Sequence, residues 1–193
     1  LRDRSIEPLS FPFPAFRKGQ REMTAAVYRT IQRERRLFCQ APTGIGKTIS
    51  TLFPAVKAMG NGFTEKIFYL TAKTITRQAA EDAFSMLRRQ PVRVKSVTLT
   101  AKDKICFLEE RRCNPVDCPY ADGHYDRVND VLLDMLQKED AFPREVIERY
   151  AKEGRVCPFE LELDLTLWCD CIICDYNYLF DPTVSLKRFF GDS

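Results

Sequence analysis

At 193 residues and 45% hydrophobic content the chain is long enough to bury a sizeable core, and its composition excludes intrinsic disorder. It holds no run of about 18 apolar residues and no apolar stretch near the N-terminus, so neither a membrane-spanning helix nor a leader peptide is indicated and a cytoplasmic protein is the expectation; a first residue of Leu rather than Met reads as a piece of something longer. The net charge of +3 conceals an asymmetry, because residues 1–104 carry 20 basic against 8 acidic side chains and residues 105–193 carry 10 against 19; a basic half suits a polyanionic partner such as nucleic acid.

Residues 17–33 place Met23, Val27, Thr30 and Ile31 at helical spacing, and the apolar run that follows at 36–41 (Leu37, Phe38, Cys39) reads as a strand. The run leads into Ala41-Pro42-Thr43-Gly44-Ile45-Gly46-Lys47-Thr48, after which a helix is expected from Lys47 to Met59, stopped by Gly60-Asn61-Gly62. A strand entering a glycine-rich turn that opens a helix aims backbone N–H groups and the positive helix end at one point. There Lys47 reaches terminal phosphates and Thr48 holds Mg²⁺. The pattern is that of a nucleoside-triphosphate loop, with Ala41 where the general form has its first glycine.

Lys66–Leu70 then reads as a buried strand, 74–89 as a helix with Ile75, Ala79, Ala83 and Leu87 on one face, and 92–99 as a strand carrying Val92, Val94, Val97 and Leu99. Such alternation predicts a parallel sheet with right-handed crossovers and a ligand at the carboxyl ends of the strands. From Lys102 the rhythm breaks. Residues 103–160 are charged, contain two amphipathic helices at 126–138 and 144–152, and read as an insert; the strand pattern returns at Trp168–Asp175.

Eight cysteines in a chain without secretory features argue for metal chemistry or buried thiols rather than disulfides. Cys106, Cys113, Cys118 and Cys157 lie in charged, Pro-punctuated sequence. Four thiolates satisfy either tetrahedral Zn²⁺ or an iron–sulfur cubane. Zinc ribbons usually pair cysteines about two to four residues apart, and neither the six-residue gap after Cys106 nor the solitary Cys157 follows that habit, so the spacing tilts toward a cluster. Cys39, Cys169, Cys171 and Cys174 sit in runs that look like buried strands; in extended chain Cys169 and Cys171 face one side and Cys174 the other, which favours burial over ligation. The lone His124 is assigned no role.

Taken in order, these residues resemble the iron–sulfur helicases of superfamily two, the XPD/DinG group, over residues 16–182. Arg17-Lys18-Gly19-Gln20-Arg21-Glu22-Met23 resembles that group's Q motif, in which Gln20 hydrogen-bonds the adenine edge. Ala41–Thr48 resembles motif I, and Tyr69-Leu70-Thr71-Ala72-Lys73-Thr74 with Gln78 resembles motif Ia, which contacts the single-strand backbone. Lys102-Asp103-Lys104-Ile105-Cys106 is similar to the basic approach to the first cluster ligand, Cys157-Pro158-Phe159-Glu160-Leu161 to the stretch at the fourth, and Cys174-Asp175-Tyr176-Asn177-Tyr178-Leu179-Phe180-Asp181-Pro182 to the segment beyond it.

The resemblance implies an α/β fold, a RecA-like P-loop parallel sheet with an inserted, mainly helical four-cysteine iron–sulfur domain. Residues 1–102 would be the first part of motor domain 1, 103–160 the insert, and 161–193 the return to the motor. Its cofactors would be ATP, Mg²⁺ and a 4Fe–4S cluster. Arg17, Gln20, Thr43, Gly44, Ile45, Gly46, Lys47 and Thr48 would bind nucleotide, with Lys47 and Thr48 catalytic; Cys106, Cys113, Cys118 and Cys157 would hold the cluster; Thr71, Lys73 and Arg77 would touch DNA. The implied activity is ATP-driven 5′ to 3′ movement on single-stranded DNA and unwinding at single-strand/duplex junctions, in repair or replication, together with the remaining motor domains and without a membrane. One departure stands out: the chain contains no Asp-Glu dipeptide, so the family's Asp-Glu-Ala-His box is expected past Ser193 and this piece alone is expected to be inactive. The alternative is a nucleotide-gated, zinc-stabilised binding module that does not unwind.

Overall fold

A computed structural model describes residues 1–72, 74–181, 186 and 189, with the side chains at 74 and 75 outside that set. The chain divides into two units, Leu1–Ile67 with Thr74–Val94, and Phe68–Lys73 with Lys95–Ser193.

The first unit is built on helices α1 (Arg2–Ile6), α2 (Gln20–Gln32), α3 (Lys47–Gly60) and α4 (Thr74–Leu87). Helix α3 is the hub, since α1, α2 and α4 all pack on it. Its Leu52, Ala55, Val56, Ala58 and Met59 are buried, mostly small or unbranched side chains that admit neighbours on several sides. Where α1 crosses it the approach is close enough to require glycine, because a Cβ on Gly60 would stand 2.5 Å from Ile6 Cγ2. Helix α4 buries Ala80, Ala83, Phe84 and Leu87, the i, i+3, i+4, i+7 stripe of an amphipathic helix. The segment before α2, for which the sequence predicts no element, is pinned by hydrogen bonds: Ser10 N donates to Gln90 Oε1 and Gln90 Nε2 returns one to Ser10 O, both at 2.9 Å.

The strand expected at 36–41 is absent among the described residues. The chain leaves α2 through Glu34 at a φ of 52° and runs irregularly to the loop, with Cys39 exposed and Phe38 95% exposed. A strand, unlike a helix, closes no hydrogen bonds within itself, so an apolar run becomes one only beside a partner.

The four-stranded sheet has the order β1-β4-β2-β3, from β1 (Ile67–Thr71), β2 (Ser96–Thr98), β3 (Ala141–Phe142) and β4 (Cys171–Asp175). Strand β2 runs parallel to β4 with Val97 opposite Ile172, and parallel to β3 with Val97 opposite Phe142. It is shorter than the 92–99 run: Val92 and Val94 are buried but unpaired as strand. Lys95 ties the three strand starts together. Its N–H donates to Asp170 Oδ2 at 2.7 Å, its carbonyl accepts from Cys171 N at 3.0 Å, and its ammonium meets Asp140 Oδ1 at 2.7 Å.

Between β2 and β4 the chain forms α5 (Lys102–Ile105), α6 (His124–Lys138), α7 (Arg144–Gly154) and α8 (Pro158–Trp168), and after β4 it forms α9 (Asn177–Phe180). Residues 103–160 share one apolar core with the sheet and α8: Met135 of α6, Phe142 of β3 and Ile147 of α7 lie in the same cluster as Leu165 of α8, Val97 and Ile172. Helix α8 was hidden from the periodicity reading because Leu161-Glu162-Leu163-Asp164-Leu165-Thr166-Leu167 alternates like a strand; Pro158 in its first turn is the local signal that a helix starts there. Its Glu162, fully buried, accepts the Thr100 N–H with both carboxylate oxygens at 3.1 Å. Among the described residues no helix is long and apolar enough to cross a membrane.

Candidate functional site

In the first unit the nucleotide-loop sequence adopts the shape its glycines dictate. Gly44 and Gly46 have φ of 81° and 82°, a region costly to side chains, and Gly46 is the N-cap from which α3 starts. The first N–H groups of an α-helix have no intrahelical acceptor, so the loop presents donors and the positive end of the helix dipole together. The loop is open to solvent at Thr43, Gly44 and Lys47, while Ile45 and Thr48 are half-buried. Lys47 Nζ donates to the Ala41 and Pro42 carbonyls at 3.2 and 3.0 Å, which keeps the ammonium over the loop.

Two residues upstream of the loop are built into it. The guanidinium of Arg17 donates to the Gly44 carbonyl. Gln20, the first residue of α2 and only 3% exposed, accepts the Arg17 N–H on Oε1 at 2.8 Å. Its Nε2 lies so near Gly46 that a Cβ there would stand 2.6 Å away. Beside them a cavity of about 480 Å³ is lined by Arg17, Gln20, Gly46 and Thr48 together with Phe13, Ala83 and Met86. An apolar lining with a few polar groups suits a flat heterocycle with hydrogen-bonding edges. The sequence reading found the polar members and missed the apolar ones.

The second unit holds the four singled-out cysteines. Cys106 ends α5 and is half-buried, Cys113 is exposed, Cys118 is buried, and Cys157 is the N-cap of α8. The turn from Cys113 to Cys118 is set by Asn114, whose Oδ1 accepts the N–H groups of Val116 and Asp117 at 3.0 and 2.9 Å and whose carbonyl accepts that of Cys118 at 3.0 Å. All four line a single cavity of about 240 Å³, together with Lys102 and His124. Among the described residues no group of three His, Cys, Asp or Glu side chains stands close enough to hold a metal ion. The donor set nonetheless suits a four-thiolate group. Four soft ligands open on one space, and a buried histidine nitrogen beside them, His124 Nε2, has no hydrogen-bond partner among the described residues.

Burial pushes the Cys157 thiol up from its ordinary range, against the lowering effect of the Glu160 and Phe159 backbone N–H groups at the start of α8. Burial likewise pushes the His124 imidazole down, more strongly than Asp164 and Glu160 raise it, and favours the neutral ring. Cys169, Cys171 and Cys174 are buried as expected, although Cys169 caps α8 instead of lying in the strand, and it joins Cys174 in the apolar core. Cys39 is exposed, against the expectation of burial, because the strand that would have buried it does not form.

Of the residues expected to touch DNA, Thr71 ends β1 and is buried, its hydroxyl without a partner among the described residues; Arg77 is half-buried on α4; Lys73 lies outside the described residues. Gln78 donates to Asp82 Oδ1 at 3.1 Å along α4.

The DEAD/DEAH box helicase family model matches residues 17–137, and the DEAD_2 model matches residues 90–189. A stretch of 46 residues is 44% identical to the probable ATP-dependent helicase MJ0942 of Methanocaldococcus jannaschii, covering 24% of this chain and 7% of that protein. Among solved structures, an XPD helicase aligns at a TM-score of 0.61 with 17% identity, covering 94% of this chain and 31% of that one. A truncated XPD aligns at 0.55 with 17% identity, covering 88% of this chain and 48% of the other. The chain therefore spans less than half the length of these relatives, and at that identity the structural likeness is one of fold.

Proposed function

We propose, because this chain belongs to the DEAD/DEAH box helicase family and to its XPD-type members, that it is the ATP-binding part of a DNA helicase moving 5′ to 3′ on single strands. In this reading the whole protein unwinds duplex at single-strand/duplex junctions in cytoplasmic repair or replication, with further motor domains. The observation that carries the proposal is the attachment of Gln20 and Arg17 to the glycine-rich loop, which would let one piece of structure read a base edge and hold phosphates. Gln20 would read the adenine edge, the backbone at Thr43, Gly44, Ile45 and Gly46 would wrap the phosphates, Lys47 would neutralise the terminal ones, and Thr48 would ligate Mg²⁺. Mg²⁺, when bound, neutralises charge on the phosphoryl group being transferred. Thr71, Lys73 and Arg77 are the proposed contacts to the strand. With no Asp-Glu pair in its sequence, the chain by itself would bind ATP and turn almost none over.

Residues 1–102 and 161–193 would serve as motor, and 103–160 would carry a 4Fe–4S cluster on Cys106, Cys113, Cys118 and Cys157. What supports the cluster is the convergence of those four cysteines on one cavity. When bound, it supplies a four-thiolate cross-link between α5, the Asn114 turn and the start of α8. Residues 105–165 carry 8 basic against 15 acidic side chains, which suits a wedge or gate better than a broad DNA-binding face.

The test is nucleotide binding by this chain and DNA-stimulated ATP hydrolysis by the full-length protein. ATP should bind, Lys47→Ala should weaken it, and single-stranded DNA should stimulate full-length turnover. Full turnover by the isolated chain would contradict the assignment of its missing carboxylates. A full-length protein with zinc in place of iron and no DNA stimulation would favour the alternative of a nucleotide-gated, zinc-stabilised binding module.

A further inference from the structure

The cavity that gathers the four cysteines has a fifth feature for which the sequence gives no role. His124 is the first residue of α6, follows Gly123 at a φ of 60°, and is only 4% exposed. Its Nδ1 accepts the backbone N–H of Cys157 at 3.2 Å. A ring nitrogen that accepts a hydrogen bond carries no proton, so the neutral imidazole bears its hydrogen on Nε2. That nitrogen is buried and has no hydrogen-bond partner among the described residues. Buried N–H groups in folded proteins are nearly always paired, and an orphan beside a cavity calls for an acceptor inside it. The cavity is lined by four cysteine sulfurs, and thiolate or sulfide sulfur accepts N–H donors. The same ring thus fixes the main chain of Cys157 with one nitrogen and carries the other, a buried donor with no partner among the described residues, on a side chain that lines the cysteine cavity.

We propose that His124 donates an Nε2–H hydrogen bond to a sulfur of the iron–sulfur group held by Cys106, Cys113, Cys118 and Cys157, and thereby raises its reduction potential. The proposal rests on the cluster reading given above. Reduction adds negative charge to the sulfurs, so a donor aimed at one of them favours the reduced state, and its removal shifts the potential down.

The experiment uses the full chain, reconstituted anaerobically, as wild type, His124→Phe and His124→Gln. Iron and sulfide are assayed first, then the reduction potential by redox titration. The wild type and both variants should bind about four irons. The phenylalanine variant should be harder to reduce by about tenfold in the equilibrium constant, about 59 mV for a one-electron couple, and glutamine, which keeps an N–H donor, should recover part of the shift. In reduced wild type carrying ¹⁵N-histidine, pulsed electron paramagnetic resonance should show a weak nitrogen coupling that disappears in His124→Phe. Equal potentials in loaded wild type and phenylalanine variant would overturn the hydrogen bond. If His124→Phe does not load, the wild-type coupling decides: no coupling, or the strong coupling of a directly bound nitrogen, overturns it. A wild type that takes up zinc and no iron overturns the cluster reading itself, and the proposal with it.

Discussion

The phosphate loop and the cysteine cavity are assembled in opposite ways. The loop is contiguous, 41–48, and the phosphate grip proposed for it would come from main-chain N–H groups aimed by Gly44 and Gly46 in the left-handed region, with Arg17 and Gln20 bracing it from a short distance upstream. The cavity draws Cys106, Cys113, Cys118 and Cys157 from the end of one helix, an exposed turn and the cap of another, and its chemistry lies wholly in side chains. A site made of backbone is set by local conformation; a site made of scattered side chains depends on the core that spaces them. Changes to ligands should therefore act on the second site and changes to glycine on the first, with little exchange between them.

The largest expected effect is loss of the metal group, since in small metal domains such binding is worth on the order of 10 kcal/mol of folding free energy. Serine at any of Cys106, Cys113, Cys118 or Cys157 should abolish iron loading, whereas Cys171→Ser, in the sheet, should keep it; metal analysis on each purified variant decides. In metal-free protein, amide exchange should quicken over 106–123, which is irregular, and remain slow in α6, α7 and α8, whose side chains sit in the core of the sheet. Release of all of 103–160 would mean that this shared core is too weak to stand without the cross-link.

Next in size is Phe142→Ala. Phe142 is fully buried opposite Val97, and its truncation should cost about 3–5 kcal/mol in denaturant melts. Phe38→Ala, at a site 95% exposed, should change stability by no more than about 0.5 kcal/mol. A cost of several kcal/mol at Phe38 would put residues 36–41 back in a buried strand. Smaller again is Gly46→Ala. The left-handed conformation costs about 1–2 kcal/mol for a side chain, and the added Cβ would stand 2.6 Å from Gln20 Nε2, so ATP affinity in a fluorescent-nucleotide titration should fall by at least about tenfold while iron loading is unchanged.

How much of this was legible beforehand follows from the range of the forces involved. Helices α2, α3 and α4, and the nucleotide loop, rest on i to i+4 spacing and local glycine geometry, and these could be read directly. Strands exist only in company, and here the reading failed both ways: the run at 36–41 looked like a strand and has no partner among the described residues, while Ala141–Phe142, two residues inside charged sequence, pairs with β2. Helix α8 alternates at a period of two because its one buried face carries polar Glu162 and Thr166 beside Leu161 and Leu165 while Leu167 lies exposed, so its pattern mimics a strand. His124 shows no role in the sequence because nothing in one sequence tells a buried histidine from an exposed one.

Gln20→Ala is the finest of these tests, because it asks whether the loop and the base reader form one device. Gln20 Oε1 holds the Arg17 N–H at 2.8 Å, and Arg17 in turn holds the Gly44 carbonyl, so the amide both faces the cavity and steadies the loop. If it reads adenine, its loss removes a contact that only an adenine base completes. Affinity for ATP should then drop by about 1–2 kcal/mol, a factor of roughly five to thirty, and approach that for GTP. If it merely braces the loop, ATP and GTP should weaken together and their ratio should stay fixed. Competition titrations with the two nucleotides separate these outcomes, and a constant ratio would remove Gln20 from base recognition while leaving the phosphate contacts proposed for Lys47 and Thr48 untouched.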